Sequence, residues 1–169
     1  MAQSLATQEI ASLKSNLVTL EDVRGLAKDM ENGNMKRVFE ECIDENVEWT
    51  FSPPADGTLG KTHPLAGVYT SRDQVLNEAL APFHARFTER WLKFETMDIF
   101  FQPSQMNDPS EHHLTKATLQ MKGSAVLKKN GQNWCTHSVY IMHFDNQTKK
   151  VVKIMAYHDT AAINQVFED

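Results

Sequence analysis

Gly131-Gln132-Asn133-Trp134-Cys135-Thr136-His137-Ser138-Val139-Tyr140-Ile141-Met142-His143-Phe144, followed by Val151-Val152-Lys153-Ile154-Met155-Ala156-Tyr157-His158-Asp159, is the stretch that decides the fold. Both runs are rich in β-branched and aromatic residues, and they read as two long strands joined by a hairpin. Thr160 to Phe167 then reads as a short closing helix capped by Asp159. Alternation sorts the first strand into two faces. Thr136, Ser138, Tyr140 and Met142 share one, and His137, Val139, Ile141 and His143 share the other. In the second strand Ile154, Ala156 and His158 oppose Val151, Lys153, Met155 and Tyr157. Neither set is uniformly polar, so alternation alone does not name the concave face.

Upstream, two more long β-type segments, Arg90 to Phe101 and Leu114 to Leu127, flank a loop-like stretch rich in Pro, Asn, Asp and Ser from Gln102 to His113. Helical patterns come earlier. Thr19 precedes Leu20-Glu21-Asp22 as an N-cap with acidic first-turn residues, and Val23, Leu26, Ala27 and Met30 recur at helical spacing up to Asn32-Gly33-Asn34. A short helix is expected from Met35 to Cys42, a strand from Asn46 to Phe51, and a capping box at Ser71-Arg72-Asp73-Gln74 opening a helix through Ala81 that Pro82 closes or kinks. Pro53-Pro54-Ala55-Asp56-Gly57 and the long loop from Thr58 to Tyr69 separate the strand from that helix. Residues 1–18, with Leu5, Ile10, Leu13 and Leu17 in a loose stripe, read as an N-terminal helical arm, and residues 19–169 as the domain.

Helices first and long antiparallel strands later is the α+β pattern. A strongly curved, mostly antiparallel sheet of this kind, wrapped around the N-terminal helices, would close off a cone-shaped barrel with a pocket inside. A chain of 169 residues suits one such domain, which buries roughly 70% of its unfolded surface.

A net charge of −5 without a basic cluster argues against nucleic acid or an anionic membrane as partner. Met1 to Leu20 has neither a basic n-region nor an apolar h-region, and Cys42 and Cys135 form no CxxC pair, so the expected setting is the reducing cytoplasm. Seven histidines raise the question of a metal. His112 and His113 are adjacent and would point to opposite faces of a strand. His137 and His143 lie roughly 20 Å apart along one face. No HExxH, Walker or GxGxxG spacing occurs, so neither metal nor cofactor is expected.

The ending Val151 to Ala162 resembles the C-terminus of the SnoaL-like polyketide cyclases, within the nuclear transport factor 2-like superfamily. A second matching segment, His63-Pro64-Leu65-Ala66-Gly67-Val68-Tyr69 followed by Ser71-Arg72-Asp73, stands at the expected distance upstream. Ketosteroid isomerases of the same superfamily end their hairpin in a turn similar to Met142-His143-Phe144-Asp145. That resemblance implies that Tyr140 occupies the position of an oxyanion-hole aspartate and His158 that of a pocket-lining tryptophan. It also implies departures. The isomerase base position falls near Thr50, its oxyanion-hole tyrosine near Leu26, and the cyclase aspartate near Ala156, so neither family's carboxylate is present. In limonene epoxide hydrolases a residue matching Asp159 is catalytic, whereas in most SnoaL-like proteins it caps the last helix.

With those carboxylates missing, His158 is the expected acid–base residue, since an imidazole exchanges protons near neutral pH. Tyr140 is the expected oxyanion donor. Thr50, Ser138, Met142, Ala156, His63, Tyr69 and Trp91 are the expected pocket residues. For each, a plainer structural role is the alternative, and the aromatic group of Phe83, Phe87, Trp91 and Phe94 would build core in any case. Three functions follow from the same fold: a cofactor-independent cyclase, isomerase or dehydratase acting on an apolar polyketide- or terpenoid-like metabolite; a non-catalytic ligand-binding protein; and an interaction module. Apolar Val139, Ile141 and Met155 on one parity point to a homodimer through the sheet.

Overall fold

The computed structural model describes residues 17–51, 63–103 and 114–168. Leu5, Ile10 and Leu13 of the N-terminal arm, Pro53 to Gly57, the start of the following loop, and most of Gln102 to His113 lie outside the described residues. Helix α1, Leu20–Glu31, opens on a complete capping box: Thr19 Oγ1 accepts from Asp22 N while the Asp22 carboxylate accepts from Thr19 N. Its apolar stripe, Val23, Leu26, Ala27 and Met30, is buried. Gly33, at φ 72°, turns the chain into α2, Met35–Arg37, which continues as a π-helical turn, Val38–Cys42. Strand β1, Ile43–Phe51, follows. After the short β2, Gly67–Tyr69, come α3, Arg72–Gln74, a second π-helical stretch, Val75–Leu80, and α4, Ala81–His84. The long strands are β3, Lys93–Gln102, β4, Leu114–Val126, β5, Asn133–Asp145, and β6, Val151–His158, closed by α5, Thr160–Phe167.

Among the described residues six strands form one mixed sheet in the order β2-β1-β6-β5-β4-β3. Of its neighbouring pairs there, only β1 and β6 run parallel, so the sheet is mostly antiparallel. It is an open cone, with β2 and β3 as its two edges. Alternation along β4 and β5 is regular: Ala117, Leu119 and Met121 on one strand and Trp134, Thr136, Ser138, Tyr140, Met142 and Phe144 on the other are all buried beneath the helices. Burying an aliphatic or aromatic side chain of this kind contributes about 1.5–3 kcal/mol, and this shared face is the core.

Four local expectations are corrected. Of closing or kinking its helix, Pro82 does not do the first: the chain enters α4 from the π-helical stretch, where Ala81 N donates to Leu76 O, and continues past Pro82 to His84. The box at Ser71 is half-formed, since Ser71 caps Gln74 N but Gln74 Oε1 accepts from Thr70 N instead. Strand β1 begins at Ile43, which pairs with Val151, three residues earlier than its β-propensity suggests. Finally, Val151 is fully buried with Ile154 rather than outside with Lys153. An extra residue in β6 between the pairs His143–Lys153 and Phe144–Val151 shifts the register there, and a bulge of that kind switches the face.

Candidate active site

The concave face encloses a small apolar cavity of about 50 Å³. The strands supply Trp49 and Phe51 from β1, Thr136, Ser138 and Tyr140 from β5, His158 from β6 and Phe94 from β3. The helical layer supplies Met30, Phe39, Leu80, Phe83 and His84. Phe39 and Leu80 both come from the π-helical stretches, which re-aim side chains relative to a regular helix.

One wall is a run of rings. His158 stacks on Phe51 at 5.6 Å, Phe51 on Trp49 at 5.5 Å, Trp49 on Phe39 at 6.2 Å and Phe39 on Trp91 at 5.9 Å. His84 closes the run edge-on to Trp91 at 4.8 Å. Phe39, His84 and Trp91 also line a larger outer cleft of about 1190 Å³ bordered by Lys36, Glu40, Arg72, Asp73, Glu89 and Arg90. The cleft is wide and solvated, and its charged residues are mostly exposed. The inner cavity is where polar atoms are sealed from water, so the inner cavity is the candidate site.

Three ring nitrogens at this cavity, Trp49 Nε1, His84 Nδ1 and His158 Nε2, are buried without a hydrogen-bond partner. Leaving such a group unpaired costs about 1–3 kcal/mol, and buried polar groups are otherwise almost always satisfied. His158 is anchored by its other nitrogen: Nδ1 lies 2.7 Å from Ser138 Oγ, and the two residues are paired across β5 and β6. The Tyr140 ring stands edge-on to the His158 ring at 5.7 Å.

Burial sets the charge states. It pushes the His158 imidazole down to about 4, with nearby His63 adding to the effect, and pushes His84 down to about 4 by desolvation alone. Burial also raises the Tyr140 phenol to about 12, with the nearby Ser138 hydroxyl opposing the rise. Both histidines and the tyrosine are therefore neutral at pH 7. Among the described residues no carboxylate, lysine or arginine lines the inner cavity. The site is electrically neutral, which corrects the expectation of an imidazole titrating near neutrality. His158 offers a lone pair or an N–H, not a standing positive charge.

Of the residues picked out from sequence, Ser138, Tyr140, His158 and Trp91 line the cavity together. Met142 and Ala156 share their face and are buried, but sit farther along the strands as core. His63 packs behind His158 at 6.5 Å, its Nδ1 accepting from Leu65 N, and burial lowers its pKa. Tyr69 stands edge-on behind Phe51 and donates to Leu65 O, so the His63–Tyr69 loop reaches the cavity through Leu65. Thr50 is a correction. It lies on the outer face with Glu48, between Val68 and Met155 in register, because β1 turns Trp49 and Phe51 inward. Neighbouring residues of a strand face opposite sides, so Thr50 is outside where Trp49 and Phe51 are inside. Trp49, Phe51, Phe39 and His84 were not anticipated as site residues. The opposition of Trp49 to Glu48 was the available signal for the first, while nothing local marks His84.

Asp159 is the N-cap of α5: its Oδ1 accepts from Ala161 N at 2.9 Å and Ala162 N at 3.2 Å. His137 and His143 lie on the outer face of β5. Among the described residues no group of three His, Cys, Asp or Glu side chains is placed to hold a metal ion, and no helix is long and apolar enough to cross a membrane.

No family model and no curated protein matches this sequence. Solved structures do match its fold. A nuclear transport factor 2-like protein from Burkholderia thailandensis aligns with a TM-score of 0.63 at 13% identity, over 88% of this chain and 96% of that one. A candidate SnoaL-like polyketide cyclase from Jannaschia sp. CCS1 aligns with a TM-score of 0.58 at 12% identity, over 85% of this chain and 87% of that one. A candidate isomerase from Bacillus subtilis aligns at 0.54 and 10% identity, over 87% and 90%. The strand order of this open cone and its alignment with these structures show that the chain has the nuclear transport factor 2-like fold.

Proposed function

We propose that the protein is a cofactor-independent acid–base enzyme that shifts a proton, and with it a double bond, in a small uncharged carbonyl compound. The observation that carries this reading is His158 Nε2, buried and unpartnered beside the Tyr140 phenol in a neutral apolar cavity. A bare imidazole nitrogen is placed to take a proton from carbon, and a neutral phenol donates to the oxygen on which charge would develop. Isomerisation, cyclisation and dehydration of carbonyl compounds all begin with such an enolisation. The ligand is uncharged because an ion would be buried here with no counter-charge, at a cost of several kcal/mol.

Size narrows the ligand further. A cavity of about 50 Å³ is well below the roughly 300–1,000 Å³ of ordinary ligand sites. It holds the reacting end of a molecule. The remainder of a polyketide- or terpenoid-like skeleton would pass the wall of Phe39, His84 and Trp91 into the outer cleft that those rings share. The departures at Thr50 and Ala156 and the weak basicity of His158 favour a second reading, a ligand-binding protein without turnover. Native mass spectrometry to identify a co-purified neutral molecule, followed by proton exchange from its α-carbon into D₂O, separates the two. Exchange by the wild type that drops about 100-fold or more in His158→Gln supports the enzyme; binding without exchange supports the alternative.

We also propose that a second copy of the chain covers the outer face of the sheet. One register row crosses all six strands there: Phe100, Thr118, Ile141, Met155, Thr50 and Val68. Its two ends are the most open, with Phe100 54% and Val68 58% exposed. An isologous contact would lay the row against itself.

A further inference from the structure

His84 Nδ1 is buried at the cavity without a partner, as His158 Nε2 is, yet the acid–base step employs only the second. The local fold explains why the first is bare. His84 ends α4, and its own carbonyl already accepts from Phe87 N. Its ring is held edge-on from two sides, by Phe83 at 5.5 Å and by Trp91 at 4.8 Å. Rings thus stand where a buried histidine ordinarily finds a carbonyl or a hydroxyl. A ligand that supplies the missing partner recovers what the bare nitrogen costs the fold.

The position of His84 along the wall is equally specific. The run of rings begins at His158, passes Phe51, Trp49, Phe39 and Trp91, and ends at His84. The two histidines therefore stand at its opposite ends. His84 lines both the inner cavity and the outer cleft, whereas His158 lines the inner cavity alone. A ligand with its reacting end at His158 and its remainder in the cleft passes His84 on the way out.

We propose that His84 is a specificity-determining residue, whose Nδ1 hydrogen-bonds a second, neutral hydroxyl of the ligand at the exit from the inner cavity to the outer cleft. This rests on the carbonyl-ligand reading of the same cavity and narrows its ligand class. The ligand becomes a compound oxygenated at two places, a reacting carbonyl and a hydroxyl, with apolar carbon against the rings between them.

The chemistry of the nitrogen sets the choice of a hydroxyl. Burial holds His84 neutral at pH 7, and Nδ1 of a neutral imidazole donates in one tautomer and accepts in the other. A hydroxyl satisfies either. An ionised group would be desolvated here with no counter-charge among the described residues that line the inner cavity. A site that holds a polar atom ready for a hydroxyl discriminates strongly against the analogue that lacks it.

The test uses matched pairs of neutral probes: straight-chain ketones from 2-hexanone to 2-decanone, each beside the ω-hydroxy ketone of the same length. Isothermal titration of the full-length protein reads the affinity ratio within each pair, which a purely structural role of His84 does not move. At the chain length that reaches from His158 to His84, the hydroxy ketone should bind the wild type about fivefold more tightly than its parent, the usual worth of one neutral hydrogen bond. His84→Phe keeps a ring between Phe83 and Trp91 but removes the nitrogen, so the preference should vanish. His84→Leu is the second apolar variant, should the phenylalanine variant fold poorly. His84→Asn sets an amide near the place of Nδ1 and should keep most of the preference. A preference that survives in the apolar variants, or is lost equally in His84→Asn, overturns the assignment. Equal binding of both members of every pair overturns it too, since water then satisfies the nitrogen, and leaves the acid–base reading standing. Absence of binding by every probe overturns both.

Discussion

Ser138 and His158 face each other across β5 and β6, with Ser138 Oγ 2.7 Å from His158 Nδ1. That contact spends one imidazole nitrogen on the protein and leaves the other for whatever enters. It also fixes the ring's orientation, because Phe51 stacks on one side of it at 5.6 Å. The predictions below follow from this arrangement and from the burial around it.

Stability should depend on the buried histidines between pH 6.5 and 4. Both His158 and His84 are lowered from 6.5 to about 4 in the folded protein. Below the unfolded value the unfolded chain binds protons that the folded chain refuses, so stability is lost as pH falls toward 4 and is fully present above 6.5. With each pKa unit equal to about 1.4 kcal/mol, the loss is on the order of 3 kcal/mol per histidine. Urea midpoints measured from pH 7 to 4.5 should fall more steeply in the wild type than in His84→Gln.

Asp159→Ala should destabilise without touching chemistry. The carboxylate accepts from Ala161 N and Ala162 N at the start of α5, and loss of such a cap costs about 1 kcal/mol. The thermal midpoint should fall by several degrees while ligand affinity stays unchanged. A large loss of affinity or turnover at unchanged stability would return Asp159 to the catalytic role seen in the epoxide hydrolases.

Thr50→Val should leave ligand binding alone, whereas Trp49→Phe should weaken it for any ligand carrying an acceptor oxygen. Trp49 presents an unpaired N–H at the cavity and Thr50 lies on the other face. A hydrogen bond of this kind is worth about 1 kcal/mol, near a fivefold change in affinity. Isothermal titration with the co-purified molecule would read both.

Met155→Lys should give a monomer. Met155 lies at the middle of the apolar row, beside Ile141 and Thr50, and a lysine there would place two like charges face to face across a two-fold axis. Light scattering of the wild type should give twice the 19.2 kDa of one chain, and of the variant, once.

Much of this could be read from the sequence, and the exceptions have physical causes. Alternation sorts β5 into two faces and the hairpin resemblance names the inner one: Ser138, Tyr140 and Met142 fall inside, and Val139, Ile141 and His143 outside. Helix α1 was readable from Thr19 and its stripe. Val151 escaped because a bulge adds a residue that no composition marks. Thr50 escaped because its position was carried over from a distant register, while the parity of Glu48 and Trp49 already pointed the other way. Phe39 reaches the cavity from a π-helical stretch and His84 from α4, just after the second such stretch, and that helical geometry is set by packing rather than by a local signal. The charge state of His158 was not readable at all, since it depends on how deeply its neighbours bury it.

The account stands on His158 being neutral, with Nε2 open to a ligand in a sealed cavity. Titration of the His158 ring by NMR in the ligand-free protein tests this most directly. The account predicts a neutral imidazole from pH 5 to pH 9, with protonation only near the value of about 4 that burial imposes. A ring that titrates near 6.5 would mean that water reaches Nε2, and would contradict the site proposed for this chain.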